Sequence, residues 1–246
     1  MMFKIIFLIF ACISASYGQR ILTPFLAQVE GFKTAAYCLD PVKYPLAGVT
    51  IGIGVDFGSR TATSLRHMGV SESIISKVSS YFGKKGYAAC SAVAAYKAVL
   101  TQTEALILSD IIIAEETKTV ASRYNSEKAF SSKSFEALTC AQRTVISSVL
   151  YQYGSPTRVP KFWTAVKANN WSSLVNELRN FGDAYASRRF KEADLLQYGG
   201  SMITCPSSTA DICEGTRGAC VVKTTCSKKL ISNFCQNQGA SIMCCV

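Results

Sequence analysis

Seven of the chain's 11 cysteines fall between Cys205 and Cys245, whereas Cys38, Cys90 and Cys140 are scattered through the sequence before them. This distribution sets the organisation. The long stretch up to Gly200 can bury a core of its own, but so short a segment as the one beyond it needs covalent staples. The remaining cysteine, Cys12, lies in an N-terminal segment with the pattern of a secretory signal: Lys4, a brief apolar run from Ile5 to Ile13, then small residues at Ser14, Ala15, Ser16 and Gly18. That run is shorter than the roughly 20 residues needed to cross a bilayer. Cleavage after Gly18 leaves Gln19 first and an even number of cysteines, which in an oxidising compartment reads as disulfides rather than metal ligands. Three cysteines upstream and seven downstream are both odd numbers, so full pairing requires at least one bridge between the two regions.

The balance of 26 Lys and Arg against 16 Asp and Glu gives a formal charge of +10, lowered by one when Lys4 leaves. A surplus of that size attracts anionic polymers over long range. Secretion favours a bacterial wall or an anionic membrane over nucleic acid as the partner. A single histidine, His67, argues against Ser/His or Cys/His proteases and against His-based zinc chemistry. No cofactor or metal is expected. Gly52, Gly54 and Gly58 do not have the spacing of a dinucleotide loop.

Thr23-Pro24 starts a helix that Gly31 can end, with Phe25, Val29 and Phe32 at helical spacing. A strand is expected at Tyr37 to Asp40 and a second at Val49 to Val55, with a wide loop between them. Further on, the pattern is helical. Thr103 is the expected cap of a long apolar-striped helix, and Thr139 with Gln142 fits a capping box for a helix running to Gly154. Helices are also expected at Pro160 to Lys167, Trp171 to Phe181 and Ala184 to Leu196. Asn170-Trp171-Ser172 is a possible glycosylation site.

The segment from Glu30 to Arg60 carries the chemistry. Read as one strand, Val49, Ile51, Ile53 and Val55 share a buried face, and Thr50, Gly52, Gly54 and Asp56 share the other. A hydroxyl and a carboxylate separated by bare backbone suit close approach of a substrate, with Gly52 and Gly54 as binding positions. Structural bulges explain the glycines equally well. A fully extended strand separates Thr50 from Asp56 by roughly 20 Å, so joint action requires the chain to bend. Glu30, beside Gly31, meets the negative end of its helix dipole with apolar Leu26 one turn back. Both favour the protonated form that a general acid needs.

Glu30-Gly31, Ala36-Tyr37 with Asp40, and Thr50-Ile51-Gly52-Ile53-Gly54 together resemble the active-site hairpin of phage-type lysozymes. Gly48-Val49-Thr50 through Asp56-Phe57-Gly58 is closer to the pesticin-like lysozyme domain. The resemblance continues through Ala141-Gln142, Tyr151, Tyr153-Gly154, Phe162-Trp163, Trp171 and Arg188-Arg189 with Glu192. It implies an α+β, lysozyme-like fold, mainly helical with a small β-hairpin at the active site. It further implies a secreted, monomeric muramidase that cleaves the β-1,4 bond between N-acetylmuramic acid and N-acetylglucosamine in peptidoglycan, with anionic wall polymers as further partners. Glu30 is then the general acid, Thr50 holds the water, and Asp56 is the second carboxylate. Asp40 is the alternative for that last role, since it keeps the phage order but is followed by Pro41 and a longer loop. Arg188 and Arg189 can meet acidic groups of the substrate, or can pair with Glu192 and other acids inside the domain. Cys213, Cys220, Cys226, Cys235, Cys244 and Cys245 resemble a clip-type disulfide knot. This implies the pairs Cys213–Cys244, Cys220–Cys235 and Cys226–Cys245, with Cys205 left for one of Cys38, Cys90 or Cys140. The expected layout is a signal peptide at 1–18, a catalytic domain at 19–200 and a cysteine-rich clip-like domain at 201–246. Rival readings are a non-catalytic binder of bacterial surfaces, a membrane-disrupting cationic protein and a chitinase-like hydrolase.

Overall fold

A computed structural model describes residues 20–199, Cys205 and the strands at 219–222, 230–231 and 242–245. The signal segment, and the cysteine side chains of the expected clip-type pairs, lie outside the described residues. Two compact units form. One is built mainly from Pro24–Glu115 and the other mainly from Glu116–Phe234.

In the first unit, α1 (Thr23–Glu30) leads into β1 (Lys33–Tyr37), β2 (Thr50–Gly52) and β3 (Val55–Asp56), an antiparallel sheet in that order. The helices α2 (Ala62–His67), α3 (Glu72–Val78) and α4 (Gly86–Ala95) follow, and then the long α5 (Gln102–Glu127), whose first half belongs to this unit. Val49, Ile51, Ile53 and Val55 are all fully buried, as the alternation predicts. Val49, Ile51 and Val55 pack with Phe57, Tyr81, Leu100, Leu108 and Ile112 in one core. The outer edge of β1 is not left open: Ala36 N–H donates to the Ala98 carbonyl at 2.8 Å and Leu100 N–H to the Thr34 carbonyl at 2.9 Å. Cys38 bridges to Cys90 and fixes the end of β1 to α4.

Two details differ from the sequence reading. The first strand lies at Lys33–Tyr37, not at Tyr37 to Asp40, because Asp40 begins a turn in which Tyr44 N–H donates to its carbonyl at 2.8 Å. The cap of α5 is Thr101, two residues before the Thr103 expected. Its hydroxyl accepts from Glu104 N–H at 3.1 Å while the Glu104 carboxylate accepts from Thr101 N–H at 2.8 Å. Lys77 Nζ donates to the same carboxylate at 2.7 Å.

The second unit is built around α6 (Cys140–Tyr153), which is buried on nearly every side from Cys140 to Leu150. A helix surrounded in this way needs small or apolar residues all round, and Ala141, Ser147 and Ser148 provide the small ones. The Thr139–Gln142 capping box opens it and Gly154, at φ 71°, ends it. Around it lie α7 (Pro160–Lys167), α8 (Trp171–Arg179) and α9 (Ala186–Gly199). Cys140 is bonded to Cys205, so the bridge that the odd cysteine counts demand is this one. A small sheet of β4 (Ala219–Val222), β6 (Ile242–Cys245) and β5 (Leu230–Ile231), in that spatial order, belongs to the tail.

A charged cluster sits inside the second unit. The Glu192 carboxylate is fully buried and accepts from Ser148 Oγ at 2.5 Å, Arg188 Nε at 3.1 Å and Arg189 Nη1. Arg189 Nε donates to Asp183 Oδ2 at 2.9 Å, and its guanidinium lies 4.6 Å from the Phe181 ring centroid. Two cations face two anions, so no net charge is buried. Burial alone pushes the Asp183 carboxyl up, but hydrogen bonds from Tyr153, Arg189 and the Tyr185 N–H outweigh it and hold the group below its usual value. The ionised carboxylate therefore stabilises the fold above the unfolded value of about 3.9, and that contribution is lost as pH falls through the lower folded value. Replacing Glu192→Gln leaves the arginines under-neutralised and is expected to cost about 3–5 kcal/mol in urea unfolding of the full chain. Asp183→Asn is expected to flatten the acid limb of the stability–pH curve.

Candidate active site

Helix α1 ends at Glu30, and Gly31, at φ 83°, turns the chain so that β1 starts two residues later. The carboxyl side chain therefore sits at a helix end, half-buried, with the fully buried Leu26 one turn behind it. At the far end of β1, Tyr37 stands opposite Thr50 of β2, and Thr50 stands opposite Asp56 of β3. Phenol, hydroxyl and carboxylate thus form one row across three strands. Burial raises the Tyr37 phenol above its usual value, and the negative charges of Glu30 and Asp56 push in the same direction. Hydrogen bonding with Thr50 opposes them. One phenol therefore feels both carboxylates. The Lys33 ammonium lies 4.2 Å from the Tyr37 ring centroid and holds the ring from its face.

Thr50 and Asp56 meet because residues 49–55 do not form a single strand. Gly52 and Gly54, at φ 68° and 70°, reverse the chain around Ile53, and β3 returns along β2. Both angles lie in the left-handed region, where a Cβ is strained. The turn is pinned from behind: Ile53 N–H donates to Ser109 Oγ at 3.0 Å, and Ser109 Oγ donates to the Ala105 carbonyl of α5 at 2.6 Å. A Cβ on Gly52 would meet Ser109 Oγ at 2.3 Å. The Cα of Gly52 therefore faces Ser109 in the protein interior, and both glycines form the turn.

The Asp56 carboxylate is gripped by main chain. Gly48 N–H donates to Oδ2 and Gly58 N–H to Oδ1, both at 2.6 Å, while Arg60 Nε donates to the Asp56 carbonyl at 3.1 Å. Charge-assisted bonds of this length fix the plane of the carboxylate, and each oxygen keeps a lone pair for a further partner. Such close approach needs Gly48, where a Cβ would lie 2.3 Å from the Gly58 nitrogen and 2.5 Å from Asp56 Oδ1. Thr50 is buried beside this clamp, and its hydroxyl donates to the Gly48 carbonyl at 3.4 Å.

Asp40 lies elsewhere, exposed in the loop after β1, where Oδ1 accepts from Val42 N–H at 3.0 Å. Arg188 and Arg189 are buried in the second unit, paired with Glu192, Asp183, Ser148 and the Gln152 side chain. Internal pairing, one of the two roles open for them from the sequence, is the arrangement found. Among the described residues no three His, Cys, Asp or Glu side chains converge as metal ligands. Tyr37, Ser109, Gly48 and Gly58 are site residues that the sequence reading did not single out. Tyr37 and the two glycines carried a visible signal, as parts of the stretches that resemble the lysozyme hairpin, whereas Ser109 carried none.

The sequence pattern of the family described as Pesticin, bacterial toxin homologue of phage lysozyme, C-term, matches residues 20–172. No curated protein matches the chain.

Gly48→Ala forces backbone against backbone in a place where no flexible side chain can yield. It is expected to lower stability in urea by about 1–3 kcal/mol and to increase amide exchange at Gly58. An unchanged Gly58 amide would show that the clamp is not formed in solution.

Proposed function

The chain belongs to the pesticin family of phage-lysozyme homologues, and from that membership and the hairpin geometry we propose that it is a secreted muramidase acting on bacterial peptidoglycan. The scissile bond is the β-1,4 link between N-acetylmuramic acid and N-acetylglucosamine. Glu30 protonates the leaving oxygen. Asp56 activates a water on the opposite face of the sugar, with inversion at the anomeric carbon, and Thr50 orients that water. Tyr37, whose phenol feels the charge of both carboxylates, positions them. The reaction needs two carboxyl groups and water, and no cofactor.

The observation that carries the reading is the row Tyr37–Thr50–Asp56, with Glu30 close enough to act on the same phenol. Asp56 is favoured over Asp40 as the second carboxylate because it shares that row, whereas the Asp40 side chain serves its own loop turn. The surplus of basic residues suits an anionic wall. Disulfides at Cys38–Cys90 and Cys140–Cys205 suit an oxidising, extracellular setting. Among the described residues no helix is long and apolar enough to cross a membrane. Antibacterial defence or digestion of bacteria is the role that fits.

Clearing of purified peptidoglycan, with released fragments identified by mass, tests the assignment. Glu30→Gln and Asp56→Asn should each lower the rate by about two orders of magnitude or more, and Tyr37→Phe by roughly tenfold through kcat. Asp40→Asn should clear at the parental rate. Clearing that survives Glu30→Gln would overturn the reading, and tight wall binding without clearing would make the chain a recognition protein.

A further inference from the structure

The loop joining β1 to β2 turns its apolar side chains to solvent. Leu39, Val42, Tyr44 and Leu46 are all exposed, Val42 at 74% and Leu46 at 78%, and Tyr87 near the start of α4 adds a further 68%-exposed ring. Single exposed apolar residues are ordinary in folded proteins. Five large ones in two neighbouring segments are not.

The exposure is built in. Asp40 accepts from Val42 N–H and Tyr44 N–H, and Ala47 N–H donates to the Tyr44 carbonyl at 3.1 Å. Pro41 and Pro45 restrict the backbone between these bonds. Both ends of the loop are tied to α4. The Cys38–Cys90 bridge holds the entrance, and Gly86 N–H donates to the Ala47 carbonyl at 2.9 Å at the exit. Gly86 itself admits Pro45, whose carbonyl oxygen would lie 2.7 Å from any Cβ there. A loop held at so many points presents Val42 and Leu46 outward instead of folding them onto the core.

The charges beside these residues indicate what covers them. Lys43, Lys84 and Lys85 are exposed in the same two segments, with Lys43 Nζ 5.4 Å from the Tyr44 ring centroid. Asp40 is the one acidic residue in 39–48 and 83–90, and its carboxylate is engaged by the loop's own backbone. Aliphatic tips, tyrosine rings and flanking lysines together match the boundary of a bilayer. There, hydrocarbon takes the tips, the interface takes the rings and anionic headgroups take the ammonium groups. A wall polymer or a nucleic acid would use the lysines but leave Val42 and Leu46 in water. We propose that the loop 39–46, with Tyr87, Lys84 and Lys85, is an interfacial anchor that seats this unit on an anionic lipid membrane.

The test is co-sedimentation of the full chain with vesicles of phosphatidylcholine alone or with phosphatidylglycerol, beside the double variant Val42→Asp/Leu46→Asp. The parent should partition onto the phosphatidylglycerol vesicles and only weakly onto phosphatidylcholine. The double variant should lose that partitioning by about tenfold or more. Its urea midpoint should stay unchanged, since both side chains are already in water. A Val42→Trp variant should show quenching by brominated lipid. The proposal is overturned if the parent does not bind anionic vesicles, or if the double variant binds them as the parent does, which would leave attraction by charge alone. Equal loss of binding to a purified anionic wall polymer would instead assign the loop to the wall. None of these readouts depends on glycosidase activity, so this proposal and the muramidase reading stand or fall separately.

Discussion

The Asp56 carboxylate sits between two backbone amides, from Gly48 and Gly58, each 2.6 Å from one of its oxygens, and the geometry of the hairpin depends on that clamp. The bonds tie the exit of the long loop, the start of β2 and the end of β3 to one group. Removing the carboxylate would orphan two amides in a crowded place, which costs more than the bonds' net worth. The clamp also explains a composition that propensity alone would not choose. A strand end flanked by glycines is weak by itself, but here any side chain at Gly48 would collide with the Gly58 backbone. The hairpin holds its shape because Val49, Ile51 and Val55 anchor it in the core and Ser109 anchors its turn at Ile53.

Both units bury charged or polar groups, and they do so by different means. In the first, the Asp56 side chain is oriented by two main-chain donors, the Gly48 and Gly58 amides. The Tyr37 phenol, raised first by burial, also feels the charge of Glu30 and Asp56. In the second, Glu192 and Asp183 are matched by Arg188 and Arg189. Full pairing suits a structural core. A carboxylate held by main chain, in one row with a hydroxyl and a phenol, suits chemistry, since its plane is fixed while each oxygen keeps a lone pair for a further partner.

Much of this was legible along the chain. Helix starts and stops followed local rules, as at Thr139–Gln142 and Gly154, because caps are satisfied within a few residues. Thr103 was misread for Thr101 because Glu104, the box partner, pairs with the earlier threonine. The alternation from Val49 to Val55 predicted which residues are buried, yet the single strand inferred from it is a reversed hairpin. Apolar residues on either side of the turn still return to the same core, but Thr50 and Gly52 are buried with them, so burial itself does not alternate. The arginine pair in the first turn of α9 allowed two roles, and nothing local to Arg188 and Arg189 could choose between them.

By itself the sequence determined most of the helices, the buried apolar residues of the hairpin and the parity that demanded a bridge such as Cys140–Cys205, each of which rests on spacing or on counting. The resemblance to phage-type lysozymes added Glu30, with Asp56 or Asp40, as candidate carboxyl residues. Tertiary structure alone decided that Thr50 stands opposite Asp56 rather than a strand's length away, and that Tyr37 stands opposite Thr50. It also decided that Gly52 packs against Ser109, a residue more than fifty positions further along. The reason is physical. Cross-strand register and the reach of a backbone amide to a carboxylate depend on how distant segments pack, and local spacing carries no record of that.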